Sequence, residues 1–252
     1  MKEKIELNSE AIILRKEFGE DANSPIDIFS LIHNSDDLTI VFYPMSGRVS
    51  GICIRDGKNK IIGVNSTSTY GRQRFTIAHE LYHLFFHEDF KSIVCSTDLE
   101  INKDPQEKEA DMFASYFLIP YEALSYFVRN KLEKEKQELD IEDVIRIEQN
   151  FGISRQAILW RLINDGYLSH EKANTMKTGI IASARRLGYD DELYTPTPED
   201  RQYVTFGKYI RLAEKLKNED AISHGKYEEL LLDGFRSDIV YGLDTEEEEV
   251  YD

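Results

Sequence analysis

Cysteine is scarce in this chain of 252 residues, which contains only Cys53 and Cys95. Two cysteines do not make the disulfide framework that holds small secreted proteins together. The lack of a Cys-x-x-Cys pair also removes the usual sequence sign of a structural zinc site. Cys53 lies in an apolar, strand-like run, so we interpret it as a thiol of the hydrophobic core.

Long apolar runs are missing, and basic residues are few for the number of acidic ones. No stretch approaches the run of about 18 apolar residues that predicts a membrane-spanning helix, and the N-terminal residues lack the apolar core of a signal peptide. We therefore expect a cytoplasmic protein. The 31 lysines and arginines stand against 47 acidic residues, a net charge of −16. This charge disfavours nonspecific attraction to nucleic acid or an anionic membrane and suits a basic protein partner.

The pattern that points to chemistry is His79-Glu80-Leu81-Tyr82-His83. Histidines four residues apart on a helix project from one face, so both imidazoles can reach one metal ion while the glutamate between them acts on a nearby water. The segment from Arg74 to His87 has no glycine or proline and is apolar on nearly all sides, which predicts a buried helix. A buried carboxylate is costly without a partner, and a cation would satisfy all three polar residues. The alternative is that two of the six histidines fall at this spacing by chance.

A third ligand close to this motif is disfavoured, although a catalytic zinc site needs three protein ligands. His87 lies two turns beyond His79, about 12 Å along an unbroken helix, and cannot join the same ion. The variant H-E-x-x-H-x-x-G-x-x-H needs a glycine to break the helix. In this chain the glycine position is Phe86 and the third-ligand position is Asp89.

A second helix, predicted over residues 104–120, is the better source of that ligand. Asp104 is a suitable N-terminal cap, and Pro105 suits the first helical position. The residues that share one face at helical spacing are Glu107, Ala110, Asp111 and Ala114. The two alanines allow another helix to approach closely, which predicts that Glu107 points at the metal.

Three acidic residues of this second helix have different predicted roles. Glu107 is the expected third metal ligand. Asp111, one turn further on, can accept the second N–H of a ligating histidine and fix its tautomer. Glu109 is the alternative ligand, although it lies on a different face. Glu107 and Glu109 can also be explained as ordinary first-turn acids that the helix dipole favours.

These motifs resemble those of the ImmA/IrrE metallopeptidases, bacterial and phage proteins with a gluzincin-like site. The resemblance is carried by Arg72-Gln73-Arg74-Phe75-Thr76-Ile77-Ala78-His79-Glu80-Leu81-Tyr82-His83-Leu84, by Glu107-x-x-Ala110-Asp111-x-Phe113-Ala114 and by Leu118-Ile119-Pro120. It continues less sharply from Phe151 to Leu162, where that family carries a helix-turn-helix-like segment. The resemblance implies that His79, His83 and Glu107 bind Zn²⁺ and that Glu80 is the general base. It also implies cleavage or inactivation of a partner transcriptional repressor that controls a mobile element, a prophage or a stress response.

The pattern along the chain predicts an α+β fold that is mostly helical. Residues 38–43, 49–54 and 60–65 are expected to form a small three-stranded sheet packed beside the histidine helix. By analogy with zinc proteases, the 49–65 hairpin is a candidate edge for an extended substrate. Further helices are predicted over 9–18, from Ser24-Pro25 onward, from about 121, over 169–186, from Phe206 to Leu216 and from Ser223 to Leu232.

A helix-turn-helix-like unit is predicted near residues 140–164, with caps at Asp140 and Ser154 and a turn at Phe151-Gly152-Ile153. Its acidic residues and its apolar second helix favour packing or protein docking over DNA binding. We therefore divide the chain into a zinc metallopeptidase-like domain (1–138), this helical unit (139–180), a helical C-terminal region (181–243) and an acidic, disordered tail (244–252).

The function expected from these residues is that of a zinc-dependent endopeptidase. Glu80 would take a proton from the attacking water and deliver it to the leaving amine. Tyr70, Tyr82 and His87 are candidates for stabilising the oxyanion. The expected substrate is a helix-turn-helix repressor. Two alternatives stay open: a regulatory protein that keeps the zinc site but docks to a repressor or antitoxin without proteolysis, and a DNA-binding regulator.

Overall fold

The architecture is that of an α+β protein in which helices predominate. A computed structural model of the protein describes residues 2–32, 35–87, 91–96 and 104–242. Asp89 and the acidic tail predicted for residues 244–252 lie outside the described residues. Within the described ranges, every helix falls short of the length and apolar character that crossing a membrane requires.

A mixed sheet holds five strands within the described residues. The strands are β1 (Leu38–Tyr43), β2 (Val49–Asp56), β3 (Asn59–Asn65), β4 (Ser92–Ser96) and β5 (Val204–Gly207). Their order is β4-β2-β3-β1-β5; β1 and β3 are parallel, and the other pairings are antiparallel. The three predicted strands are confirmed, but the predicted sheet of three strands is wrong. Strands β4 and β5 are short and are held by pairing with β2 and β1, so the local sequence pattern indicates them poorly.

The β2–β3 hairpin lies in the interior of this sheet. Asp56 pairs with Asn59, which leaves Gly57 and Lys58 as a two-residue turn. On their outer sides, β2 pairs with β4 and β3 pairs with β1. The hydrogen-bonding edges of both hairpin strands are therefore already taken, and the prediction that the 49–65 hairpin is a substrate edge is wrong. The end strand on this side of the sheet is β4.

The described residues contain helices of very different length. They are α1 (Lys4–Glu17), α2 (Tyr70–Phe86), α3 (Pro105–Leu118), α4 (Tyr121–Tyr126), α5 (Ile141–Phe151), α6 (Arg155–Asn164), α7 (His170–Thr175), α8 (Ile180–Arg186), α9 (Lys208–Asn218), α10 (His224–Asp233) and α11 (Ser237–Tyr241). The predicted cap of α3 is confirmed, because the Asp104 carboxylate accepts a hydrogen bond from the backbone N–H of Gln106 at 2.9 Å.

Several predicted helix boundaries need correction. A helix from Ser24 does not form; the Arg15 side chain instead donates to the Ser24 carbonyl at 2.6 Å, and in the described part of this segment a 3₁₀ turn follows at Ser30–Ile32. The helix expected from Phe206 begins at Lys208, because Val204–Gly207 pairs with β1. The segment 169–186 is divided into α7 and α8, and Ser9 lies inside α1 rather than at its start.

Helix α2 packs against the sheet on one side and against α3 on the other. Its predicted burial is confirmed, since it contributes thirteen buried residues from Gly71 to Leu84. Towards the sheet, a Cβ on Gly51 would lie 2.5 Å from Thr76 Cγ2 and 2.8 Å from Glu80 Oε1. Towards α3, the facing residues Ala110 and Ala114 are fully buried. Small residues on both sides therefore let β2 and α3 approach the polar residues of α2 closely.

A side-chain hydrogen bond joins the α5–α6 pair to α2. Gly152 ends α5 with a φ of +62°, a conformation that favours glycine. The Arg74 side chain of α2 donates to the Gly152 carbonyl at 2.8 Å. Arg155 and Arg161, which a DNA-reading helix would expose, are buried and paired with Glu148 and Asp165. These contacts favour the structural role of this unit over DNA binding.

The region after residue 181 contributes to the same sheet, because β5 pairs with β1 over Thr39–Phe42. Farther along, Ala213, Tyr227 and Leu231 form a small hydrophobic cluster separate from the main core. The domain limits at 138, 180 and 243 stay predictions.

Candidate metal centre

Two helices bring three donor side chains to one point. His79 and His83 lie one turn apart on α2, and their Nε2 atoms are 3.1 Å from each other. Glu107, in the first turn of α3, places Oε2 3.3 Å from His79 Nε2 and Oε1 3.3 Å from His83 Nε2. The three residues predicted as ligands therefore converge, although Glu107 lies 24 or more positions after the histidines in the chain.

The spacing of these atoms fits a small tetrahedral cation. Bonds of about 2.0–2.2 Å from Zn²⁺ to nitrogen and oxygen place neighbouring ligand atoms about 3.3 Å apart. The three observed separations are 3.1, 3.3 and 3.3 Å. Two imidazole nitrogens and one carboxylate oxygen are also a common donor set for a catalytic zinc ion. The residues present therefore fit the metal that the motif implies.

Asp111 holds the His79 ring from the side opposite the cluster. His79 Nδ1–H donates to Asp111 Oδ1 at 2.9 Å, which leaves Nε2 facing His83 and Glu107. Burial by itself lowers the pKa of His79, but the carboxylates of Asp111 and Glu107 outweigh it and raise that pKa to about 10. The contact predicted for Asp111 is present, and it fixes the tautomer that a ligand needs.

The two glutamates weighed as the third ligand lie in different surroundings. Burial favours the neutral form of Glu107, but hydrogen bonds from His79 and His83 hold its pKa well below the usual range. Glu109 instead accepts from the Tyr82 hydroxyl at 2.9 Å and from the backbone N–H of Lys2 at 2.6 Å. The structure therefore places Glu107, and not Glu109, beside the histidines.

Glu80 is fully buried beside this cluster and lacks a conventional partner. Within the described part of the chain, neither carboxylate oxygen has a hydrogen-bond partner of normal geometry. Burial raises the pKa of Glu80, while His79, His83 and the thiols of Cys53 and Cys95 partly oppose this rise. An unpaired buried carboxylate next to three donor atoms indicates a group that a cation and a water would complete.

His87 and Cys95 are two members of this region to which the sequence pattern assigned no role at the metal. His87 Nδ1 lies 2.8 Å from His83 Nδ1, so His87 can orient His83 as Asp111 orients His79. Its position four residues after His83 was the available signal. Cys95 of β4 joins His79, His83 and Glu107 in a group whose ligand atoms all lie within 4.8 Å of one another. Its approach depends on strand pairing, which left no signal in the sequence.

The candidates for stabilising an oxyanion are not supported by their contacts. The Tyr82 hydroxyl donates to Glu109, and its ring packs against Phe86 and Phe113. Tyr70 begins α2, more than two turns from His79, and its ring packs against Phe29. The His87 ring contacts His83 and does not face a space where a substrate oxyanion could lie.

Metal binding at this centre is expected to become tighter as the pH rises from about 6 to about 8. Before a metal ion binds, His79 keeps its proton up to a pH of about 10, whereas a histidine ligand must be neutral. Binding therefore releases a proton, and the association constant should rise about tenfold per pH unit. Chelator competition across this interval measures the constant, and calorimetry in buffers of different ionisation enthalpy counts the protons. A constant independent of pH would contradict this prediction.

Comparison with known proteins agrees with this geometry. Residues 37–162, half of the chain, match the family model of peptidase M78, described as the IrrE N-terminal-like domain. This match includes all of β1 to α5 and most of α6, and therefore both helices of the centre. A stretch of 57 residues is 40% identical to the radiation response metalloprotease IrrE of Deinococcus deserti.

That stretch is 23% of this chain and spans 19% of the relative, so the similarity to that protein is local. Membership of a metallopeptidase family implies a metal ion, and the cluster of His79, His83, Cys95 and Glu107 has the donor atoms that could hold one. The chain belongs to the peptidase M78 family, whose model is the IrrE N-terminal-like domain.

Proposed function

We propose that this protein is a zinc-dependent endopeptidase that cleaves a partner transcriptional repressor. The observation that carries the proposal is the triangle of His79, His83 and Glu107 donor atoms with the buried, unpaired Glu80 beside it. Structural ion pairs do not leave a fully buried carboxylate without a partner, whereas a general base needs its oxygens available to a water molecule.

Each residue of the centre has a distinct role in this proposal. His79, His83 and Glu107 hold the ion, and Asp111 keeps the His79 tautomer that faces it. A bound Zn²⁺ supplies Lewis-acid chemistry, which acidifies water and polarises a carbonyl. Glu80 accepts the proton of the attacking water and delivers it to the amine that leaves. Burial raises the pKa of the Glu80 carboxyl, which makes its carboxylate form a stronger base for the proton of the water.

The partner is inferred to be a helix-turn-helix repressor of a mobile element, a prophage or a stress response. The net charge of −16 suits a basic, DNA-binding substrate, and the relative from Deinococcus deserti carries the name of a radiation response metalloprotease. Such a repressor places the activity in the cytoplasm. The buried arginines of α6 support a role for this protein at the repressor rather than at the DNA.

Docking without proteolysis is the second candidate function. It is favoured by the complete burial of Glu80, whose exposed fraction is 0%. In this conformation Glu80 does not meet solvent, so hydrolysis requires a local opening that admits water, whereas docking requires none.

The test is incubation of the zinc-loaded, full-length protein with the helix-turn-helix protein encoded beside its gene. We expect two new fragments of that partner by mass spectrometry, and none when a chelator is present. A partner that stays intact while forming a stable complex would refute the peptidase and support docking.

A further inference from the structure

The thiol of Cys95 lies close to the three donor side chains of the candidate metal centre. Its ligand atom lies within 4.8 Å of those of His79, His83 and Glu107. The residue is 2% exposed, whereas its neighbour Val94, on the opposite face of β4, is 62% exposed. The alternation of the strand therefore turns Cys95 inward and Val94 outward.

Backbone pairing holds this thiol at the centre. Cys95 is paired with Gly51 of β2, and its carbonyl accepts a hydrogen bond from Ser50 Oγ at 3.1 Å. Gly51 has no side chain in the space between β2 and Glu80, where a Cβ would lie 2.8 Å from Glu80 Oε1. The strand register thus aims Cys95 at the same point that α2 and α3 supply with the other donors.

The distances suit a thiolate bond to the same ion. With bonds of about 2.3 Å to sulfur and about 2.0 Å to nitrogen, a tetrahedral zinc ion separates sulfur from nitrogen by about 3.5 Å. The ligand atoms lie at most 4.8 Å apart, so a movement of β4 on the order of 1 Å brings the sulfur within the distance that such a bond requires. On coordination the thiol gives up its proton, and the carboxylate of Glu80, which interacts with Cys95, can accept it.

Cys95 would occupy the fourth coordination position of the metal, which catalysis requires for water or substrate. Zinc sites with four protein ligands are closed and structural, whereas catalytic sites keep the fourth position open for water or substrate. We propose that Cys95 is a fourth protein ligand that closes the metal centre, and that it must leave before a substrate can be cleaved. This inference rests on the proposed peptidase function and adds its regulation.

The location of Cys95 makes such a release feasible. Strand β4 is an end strand and pairs with one neighbour, β2, within the described residues. An end strand separates at a lower free-energy cost than an interior strand, because fewer backbone hydrogen bonds break. Cys53, by contrast, is a fully buried thiol of the interior strand β2, lies beside the same Glu80 and is outside the donor group. It is therefore a matched control.

The test is the absorption spectrum of the full-length protein loaded with Co²⁺. A thiolate ligand gives an intense charge-transfer band in the near ultraviolet, and the visible bands report that cobalt is bound. We expect the charge-transfer band in wild type and in Cys53→Ser, and its loss in Cys95→Ser with the visible bands retained. Wild-type protein that binds Co²⁺ without the charge-transfer band overturns the proposal, as does a Cys95→Ser variant that keeps it.

Cleavage of the repressor tests the closing role separately. We expect Cys95→Ser to cleave several-fold faster than wild type, and an equal or lower rate overturns that role. Failure of the proposed function has a different signature. If wild type shows the charge-transfer band but neither wild type nor Cys95→Ser cleaves the repressor, Cys95 is a ligand and the proposed peptidase function is refuted. If wild type takes up no Co²⁺, both the fourth ligand and the peptidase function are refuted.

Discussion

Replacement of Glu80 by glutamine is expected to lower the rate of repressor cleavage by roughly 10²–10⁴-fold, the usual contribution of a general base. The amide has nearly the same shape as the carboxylate but cannot accept the proton of the attacking water. The substitution should leave the zinc content unchanged, because the donor atoms belong to His79, His83, Cys95 and Glu107 and not to Glu80. Binding of the repressor should also persist.

The physical state of Glu80 makes this variant informative. The side chain is fully buried, and burial raises its pKa, so the native fold holds the charged form at a cost. A neutral glutamine removes that cost, and we expect a thermal unfolding midpoint that is no lower than that of wild type when no metal is added. Loss of activity would then report lost chemistry rather than lost folding.

Two measurements decide between cleavage and docking. Fragment formation is followed by mass spectrometry, and complex formation by size-exclusion chromatography, for wild type and Glu80→Gln with equal zinc content. The matched control is Glu109→Gln, a similar change at a carboxylate that binds Tyr82 and Lys2. Equal cleavage by Glu80→Gln and wild type would rule out Glu80 as the general base.

Replacement of Glu107 by glutamine is expected to weaken zinc binding by more than ~100-fold. Removal of a residue that only hydrogen-bonds to a metal ligand weakens binding by ~10–100-fold, and the loss of a ligand itself should have a larger effect. Glu107 supplies the charged oxygen donor, at 3.3 Å from both histidine nitrogens. An amide oxygen carries no net charge, so the electrostatic attraction to the cation falls sharply. Cleavage should be lost at limiting zinc.

The position two residues further along the same helix provides the comparison. Glu109 shares the charge, the chemistry and the first turns of α3 with Glu107, but its carboxylate turns towards Tyr82. We expect Glu109→Gln to keep the zinc affinity of wild type. Zinc dissociation constants from chelator competition at one pH provide the test. If Glu109→Gln lost zinc and Glu107→Gln kept it, the assignment of the third ligand would be reversed.

Helical spacing made much of this centre predictable. Residues four apart on an α-helix share a face whatever the rest of the chain does, so the pairing of His79 with His83 is a local property. The same rule places Glu107, Ala110 and Asp111 on one side of α3, and Asp104 and Pro105 mark where that helix begins. The sequence alone could not decide which acidic residue meets the histidines, and the packing of α3 on α2 brings Glu107 to them.

Strand partners were the least predictable part of the fold. The 49–65 hairpin was found from its turn and its apolar pattern, yet its edges are covered by β1 and β4. Strand β5 follows α8 by 17 residues and still pairs with β1, near the start of the chain. Such pairings depend on contacts between distant segments, and strands of four or five residues carry too little periodicity to reveal them.

The sequence by itself determined that His79 and His83 share one helix face and that Glu107, Ala110 and Asp111 share a face of a second helix, because these relations depend on local helical geometry. Only the tertiary structure decided that β4 lies at the end of the sheet, that Cys95 lies close to the donor atoms of His79, His83 and Glu107, and that His87 contacts His83. The reason is that the sequence gives the chemical identity of each side chain directly, whereas the groups that this side chain contacts depend on how distant elements pack.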